Sequence, residues 1–197
     1  MITIYDDRYK EEVINLILHV QNVEYGVGIS AEEQPDILDI QSNYINDGGN
    51  FWVALNDNGE VVGSIGLQKK TNEVSVLKKF FVYKDYRGKE FGIGTGLYQA
   101  LLDFANKQGF LKVILDTPSK ATRSHSFYKK VGFKEIAKEN LAITYDYPDR
   151  DSLIFELDLS KKESWTNGCL SWTRGCCRTP CILVSTKKLI RLLKEIG

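Results

Sequence analysis

Val74-Ser-Val-Leu-Lys-Lys-Phe-Phe-Val-Tyr83, then Lys84-Asp-Tyr-Arg-Gly-Lys-Glu-Phe-Gly-Ile-Gly94, then Thr95-Gly-Leu-Tyr-Gln-Ala-Leu-Leu102, is the stretch around which the chain is organised. Its first part is an apolar run rich in β-branched and aromatic residues and reads as a buried strand. Its second part is a polar loop with glycines at 88, 92 and 94. Its third part opens an amphipathic helix near Thr95, with Leu97, Ala100, Leu101, Phe104 and Ala105 at helical spacing. Strand, glycine-rich loop and helix N-terminus in that order make an anion site. Glycines let backbone N–H groups turn inward, and the positive end of the helix dipole favours a phosphate. Arg87 and Lys89 add two cations at the rim. The same residues also fit an ordinary strand-to-helix turn whose glycines serve left-handed backbone angles. Two phosphate loops are excluded. There is no G-x-x-x-x-G-K-S/T, and G-x-G-x-x-G fails because Leu97 stands where the third glycine is required.

A second stretch, Val113-Ile-Leu-Asp-Thr-Pro-Ser-Lys-Ala-Thr-Arg-Ser-His-Ser-Phe-Tyr-Lys-Lys-Val-Gly-Phe133, separates these readings. Together the two stretches resemble the GNAT superfamily of acyl-CoA-dependent N-acyltransferases. That family's pyrophosphate loop reads Q/R-x-x-G-x-G/A, which Lys89-Glu-Phe-Gly92-Ile-Gly94 matches with Lys in the first slot. Arg87-Gly88 lies two residues earlier than usual, as in a slightly longer loop. The family's later Y-x-x-x-G-F is met by Tyr128, Gly132 and Phe133. Its usual Asn seven residues before the Tyr is Ala121, and its usual small residue four before is Ser124. The resemblance covers roughly the first 160 residues.

The resemblance implies an α/β (α+β) fold: a mixed, mostly antiparallel central sheet split between two parallel strands, with helices on both faces. It implies acetyl transfer from the co-substrate acetyl-CoA to a primary amine by direct attack in a ternary complex, without a metal. Arg87, Gly88, Lys89, Gly92, Gly94 and Thr95 then hold the pyrophosphate. The pantetheine arm lies between the strands ending at Tyr83 and Asp116 and pairs with backbone around Phe81 and Val82. The Val82 amide, or one beside it, polarises the thioester carbonyl. Tyr128 holds the position of the acid that protonates the leaving thiolate, although periodicity alone makes it a core aromatic beside Phe127.

Some family members carry a catalytic acid on the strand before the loop, where this chain has Lys78 and Lys79. Asp116 is therefore the candidate for base or amine anchor. As alternatives, it caps Thr117-Pro118-Ser119, or a water chain serves as base. Glu24 and Tyr25, after the first helix, and Tyr145, beside Asp146, Tyr147 and Asp149, suit a cationic substrate through charge and cation–π contact. An ordinary solvated loop has the same composition. The rival function is an acyl-CoA-binding sensor or interaction module without turnover, which the missing strand acid favours and Tyr128 disfavours.

Composition bounds these readings. One domain is the expectation for 197 residues. A formal net charge of zero conceals a division: residues 160–197 hold eight Lys/Arg against two Asp/Glu, and the remainder 18 against 24. An acidic body argues against nucleic acid as the main partner and suits an amine of small-molecule or peptide origin. All four cysteines (Cys169, Cys176, Cys177, Cys181) lie in the basic tail, so the body needs no disulfide and reads as cytoplasmic. Their spacing lacks the C-x2-C pairs of a zinc site. No signal peptide opens the chain, and no run approaches the ~20 apolar residues of a membrane span. The expected domains are 1–160 and a tail, 161–197, with a short amphipathic helix; a homodimer is left open.

In order, the sequence predicts an edge strand over 2–5 and a helix over 9–23 with Val13, Ile14, Ile17, Leu18 and Val20 inward. His19 sits on or beside that face in a structural role. A second helix follows the capping box Ser30-Ala-Glu-Glu33, carries Ile37, Leu38, Ile40 and Tyr44, and ends near Gly48. Strands at 51–55, 61–67 and 73–83 form a meander around Asn58-Gly59. After the central helix, ended by Gly109, come a strand at 110–116 and a helix from Ser119 to Val131, with His125 on its surface. A last strand pair spans 133–144 and 152–159, with Leu153, Phe155, Leu157 and Leu159 facing one way.

Overall fold

The computed structural model describes residues 1–144 and 151–160; the loop with Tyr145 and the tail with its cysteines lie outside the described residues. Met1–Leu159 form one compact unit. Its strands are β1 (Ile2–Ile4), β2 (Asn50–Leu55), β3 (Val61–Lys69), β4 (Val74–Val82), β5 (Lys112–Pro118), β6 (Lys134–Ile136) and β7 (Ser152–Asp158). They form one sheet of seven strands in the order β1-β2-β3-β4-β5-β7-β6. Every pair is antiparallel except β4 with β5. The helices are α1 (Lys10–Leu18), α2 (Pro35–Leu38), α3 (Ile93–Gln108) and α4 (Thr122–Lys130). No helix among the described residues is long and apolar enough to cross a membrane.

The alternation of a strand places helices on both faces. Phe51, Val53 and Leu55 of β2 join Val13, Ile17, Val20, Ile37 and Tyr44 in one core, so α1 and α2 cover that face. Trp52, one residue out of phase, meets Phe104 of α3 edge-on at 5.4 Å, so α3 covers the other. Each fully buried aromatic of this kind contributes about 2–3 kcal/mol. The turn into β2 has no room for a side chain at Gly49, where a Cβ would stand 2.0 Å from the Leu67 carbonyl oxygen. Gly49→Ala is therefore expected to cost ~3 kcal/mol. Urea unfolding checks this, and an unchanged midpoint would mean that β2 yields.

Three sequence expectations change. The second helix does not run from its capping box to Gly48. The box forms, with Ser30 N–H donating to Glu33 at 2.9 Å and Glu33 N–H to the Ser30 hydroxyl at 3.4 Å, but it closes a turn. Pro35 then opens the short α2, which stops at Asp39, whose side chain accepts from Ser42 N–H at 3.0 Å and starts a separate wide turn, Gln41–Ile45. A short polar side chain here competes with helix continuation. Likewise α1 passes at His19 into a wider turn that ends at Glu24.

The last strand is covered on both faces, by His125 and Tyr128 of α4 against Phe155 on one and by a small apolar cluster on the other. Ile154 is as buried as Phe155, packing with Val74, Val76 and Ile114, while Leu153 and Leu159 are half-buried. The third change lies at β5, which extends to Pro118 and places Asp116 within the strand rather than at its end.

Candidate active site

β4 and β5 are paired only at Val74 with Lys112, Ser75 with Val113 and Val76 with Ile114. Beyond that they part: β4 stays on β3 as far as Val82 opposite Gly63, and β5 stays on β7 as far as Pro118 opposite Ser152. A cleft opens between them. A bulge marks its start, where Lys79 and Phe80 together oppose Ile65, and Lys79 takes a left-handed φ of 53°. The Ser64 hydroxyl secures it by donating to the Lys79 carbonyl at 2.8 Å.

After the bulge the ladder alternates. Tyr83 N–H donates to Val62 at 3.0 Å, so Tyr83 and Phe81 turn their backbone groups to β3, and Val82 turns its own to the cleft. Of the two residues the sequence named for the pantetheine arm, Val82 presents the cleft-facing amide. Phe81 does not.

The phosphate loop ends in α3, which begins at Ile93, two residues before the expected Thr95. Gly92 caps it at φ 61°, a left-handed conformation that favours glycine. The first helical bond is Gly96 N–H to Gly92 at 2.9 Å, and the amides of Ile93, Gly94 and Thr95 have no carbonyl inside the helix. They make a positive helix start with free donors, and exposed Lys89 stands on the loop before it. Gly94 is not needed for the turn, since a Cβ there would meet only Phe80 at 3.7 Å. Backbone donors, a lysine and the Val82 amide are the donor set that a pyrophosphate with an amide-containing arm requires.

Arg87 is not a rim cation. Its guanidinium lies 2.5 Å from a Glu24 oxygen, and its Nε donates to the Val82 carbonyl at 2.7 Å. A residue read as cofactor-binding and one read as substrate-binding thus form one ion pair. Glu24 continues the Val13, Ile17, Val20 face of the first helix, which is the sequence signal for its inward position. Tyr25, by contrast, is exposed.

Tyr128 of α4 is packed as a core aromatic, with a hydroxyl that keeps its proton. Its ring is buried against Phe127, Phe133 and Phe155 at centroid distances of 5.7, 5.6 and 6.1 Å. Burial pushes its hydroxyl pKa above the ordinary tyrosine value, and the charge of Asp116 pushes it further. The phenol therefore keeps its proton through neutral pH. Asp116 is half-buried and also acts on Lys79. Tyr98 of α3 is a second buried phenol, raised by burial and then by Tyr128; its place on an apolar helix face gave no functional signal. His125 is half-buried on α4, where its Nε2 lies 2.9 Å from the Pro118 carbonyl and its ring 5.6 Å from Phe155, tying α4 to the end of β5. His19 packs edge-on against Tyr83 at 5.3 Å, in the structural place expected.

Sequence reasoning missed one network altogether. Lys79 Nζ reaches Asp36 at 3.2 Å and donates to Gln34 at 2.7 Å, and the Tyr44 hydroxyl donates to Asp36 at 2.6 Å. Gln34 and Gln21 exchange side-chain hydrogen bonds at 2.8 and 3.0 Å. Burial lowers the Lys79 pKa, with Asp36 opposing the shift. No local pattern marks a lysine on β4 as the partner of an aspartate on α2.

Known proteins resemble this chain in sequence and fold. An acetyltransferase from Streptococcus agalactiae is 40% identical, with a TM-score of 0.77 over 81% of this chain and 98% of that one. Human N-acetyltransferase 8 is 32% identical over 103 residues, 51% of this chain and 45% of that protein. The N-acetylaspartate synthetase of Danio rerio is 30% identical over 105 residues, 52% of this chain and 36% of that protein. The chain spans about half the length, or less, of the curated relatives it matches. The model of the acetyltransferase (GNAT) family matches residues 14–133, from α1 through the bulge, the phosphate loop and α4 to Phe133. That match runs over the parted strands and the loop that closes on them, and the chain belongs to the acetyltransferase (GNAT) family.

Proposed function

We propose that the protein transfers the acetyl group of acetyl-CoA to a primary amine by direct attack. The observation that carries this reading is the cleft itself: β4 and β5 part beside the Val82 amide, the phosphate loop follows β4, and half-buried Asp116 of β5 acts through its charge on the buried Tyr128 hydroxyl. Ile93, Gly94 and Thr95 bring backbone N–H groups to the pyrophosphate, with Lys89 as cation and Gly88 and Gly92 shaping the loop. The amine nitrogen bonds to the thioester carbon while the Val82 N–H holds the carbonyl oxygen. The carbon–sulfur bond breaks and the thiolate takes the Tyr128 proton. Asp116 takes the proton lost by the amine, directly or through water, and can return it to Tyr128, so the pair ends as it began.

The acceptor is a small-molecule or peptide amine, received near Glu24 and Tyr25. The cytoplasm suits a domain with no need of disulfides. Release of free thiol from acetyl-CoA, measured over a panel of amines, tests the reading. Coenzyme binding without thiol release for any amine would leave a sensor module in its place. Every residue given a role in this machinery precedes Ser160, so a chain ending at Ser160 is expected to bind acetyl-CoA within about twofold of the full chain. Calorimetry decides, and loss of binding in a folded truncation would move the domain boundary into the tail.

A further inference from the structure

Arg87 and Glu24 are paired in an unusual setting. Their side chains are 22% and 12% exposed, so the pair is largely out of water. One Glu24 oxygen meets Arg87, and the other is buried with no hydrogen-bond partner among the described residues. A structural ion pair at this depth ordinarily satisfies its remaining lone pairs. The guanidinium also reaches the Val82 carbonyl, one of the backbone groups that face the cleft. The surroundings are anionic: the Tyr83 hydroxyl, already raised by burial, is raised further by the charges of Glu12 and then Glu24. Glu12 itself is fixed there, accepting from Val61 N–H at 2.7 Å. If Arg87 withdrew, Glu24 would be a buried carboxylate without a counter-ion, and such a group recruits a cation.

An amine substrate arrives as that cation. Its ammonium offers what the guanidinium offers, one positive charge and several N–H donors, for Glu24 and the Val82 carbonyl together. Arg87 has an alternative partner as well, because it opens the loop whose helix start is built for phosphate. We propose that Arg87 stands in for the acceptor: its guanidinium occupies the ammonium site between Glu24 and Val82 and yields it when phosphate groups fill the loop. Glu24 is then the residue that selects the acceptor. An amine whose neighbouring carbon bears a carboxylate meets repulsion from Glu24 and Glu12, so the acceptor class is a primary amine without one. This rests on the acetyl-CoA reading above.

Calorimetry with phenethylamine tests it, using desulfo-coenzyme A, which carries the pyrophosphate and pantetheine arm but cannot react. The wild-type protein is expected to bind phenethylamine roughly tenfold or more tightly once desulfo-coenzyme A is bound, the coupling being reciprocal. Phenylalanine, the same skeleton with a carboxylate, should bind the loaded protein at least about tenfold more weakly. Glu24→Gln should lose about tenfold in amine affinity and bind coenzyme at least as tightly as wild type, since Arg87 no longer has to leave a carboxylate, and Arg87→Ala should bind the amine equally with and without coenzyme. Equal phenethylamine affinity in the free and loaded wild-type protein overturns the proposal, as does a Glu24→Gln protein that binds it normally. Failure to take up desulfo-coenzyme A overturns the functional reading and this inference with it, whereas uptake without coupling overturns this inference alone.

Discussion

Tyr128→Phe is expected to lower turnover by roughly 10²–10⁴-fold while the acetyl-CoA dissociation constant changes by less than about twofold. The substitution removes one hydroxyl and leaves the ring, so the packing against Phe127, Phe133 and Phe155 persists. What it removes is a proton donor whose pKa burial and Asp116 hold above the ordinary phenol value. Such a phenol remains an acid across the pH range in which an amine is free to attack. A loss confined to turnover marks an interaction made in the transition state. Equal loss in turnover and coenzyme affinity would make Tyr128 a coenzyme contact. No loss in either would return it to the core and leave water to protonate the thiolate. Asp116→Asn separates the two halves of the pair, because it should leave the phenol in place while slowing the amine's deprotonation.

Gly94→Glu is expected to weaken acetyl-CoA binding by on the order of 100-fold or more, from repulsion between one added carboxylate and the pyrophosphate at close range. The cause is not backbone strain. Gly94 has an ordinary helical conformation and room for a Cβ, so Gly94→Ala should bind within a few-fold of wild type. The contrast between the two variants at one position isolates charge and bulk at the helix start from any effect on the turn. The turn depends instead on Gly92, with its φ of 61°. Unchanged coenzyme affinity in a folded Gly94→Glu protein would place the phosphates elsewhere.

The fold was legible where local chemistry repeats. The β-branched run of β4, the glycines that flank α3 and the Asn58-Gly59 hairpin each carry a short-range signal, and each stands close to its expected place. The region between α1 and β2 was less legible, because an apolar spacing that suits a helix continues through Asp39 while the side chain there hydrogen-bonds to the next turn instead. The face of β7 was misread because the alternation of Leu153, Phe155, Leu157 and Leu159 reports one side, while Ile154 on the other is buried only when folding brings Val74, Val76 and Ile114 to it. For the site, the glycine loop and Tyr128 could be found by spacing. The Arg87–Glu24 and Lys79–Asp36 pairs could not, since each joins residues remote in sequence and is fixed only when the sheet assembles.

The Lys79–Asp36 pair bears on how this scaffold could be retargeted to a new amine. Because Lys79 sits in the bulge of β4 and Asp36 and Gln34 sit on the segment beside the cleft, that segment is bolted to the strand that presents Val82. Grafting a foreign loop over residues 30–38 would strand a buried ammonium, a loss of about 3–5 kcal/mol for one partner removed. Tyr25 and Val27 carry no such bolt and project outward, whereas Gly26 and Gly28 hold left-handed φ values of 66° and 72° that a side chain would strain. Substitutions at Tyr25 and Val27 are therefore the ones this scaffold absorbs without disturbing either buried pair.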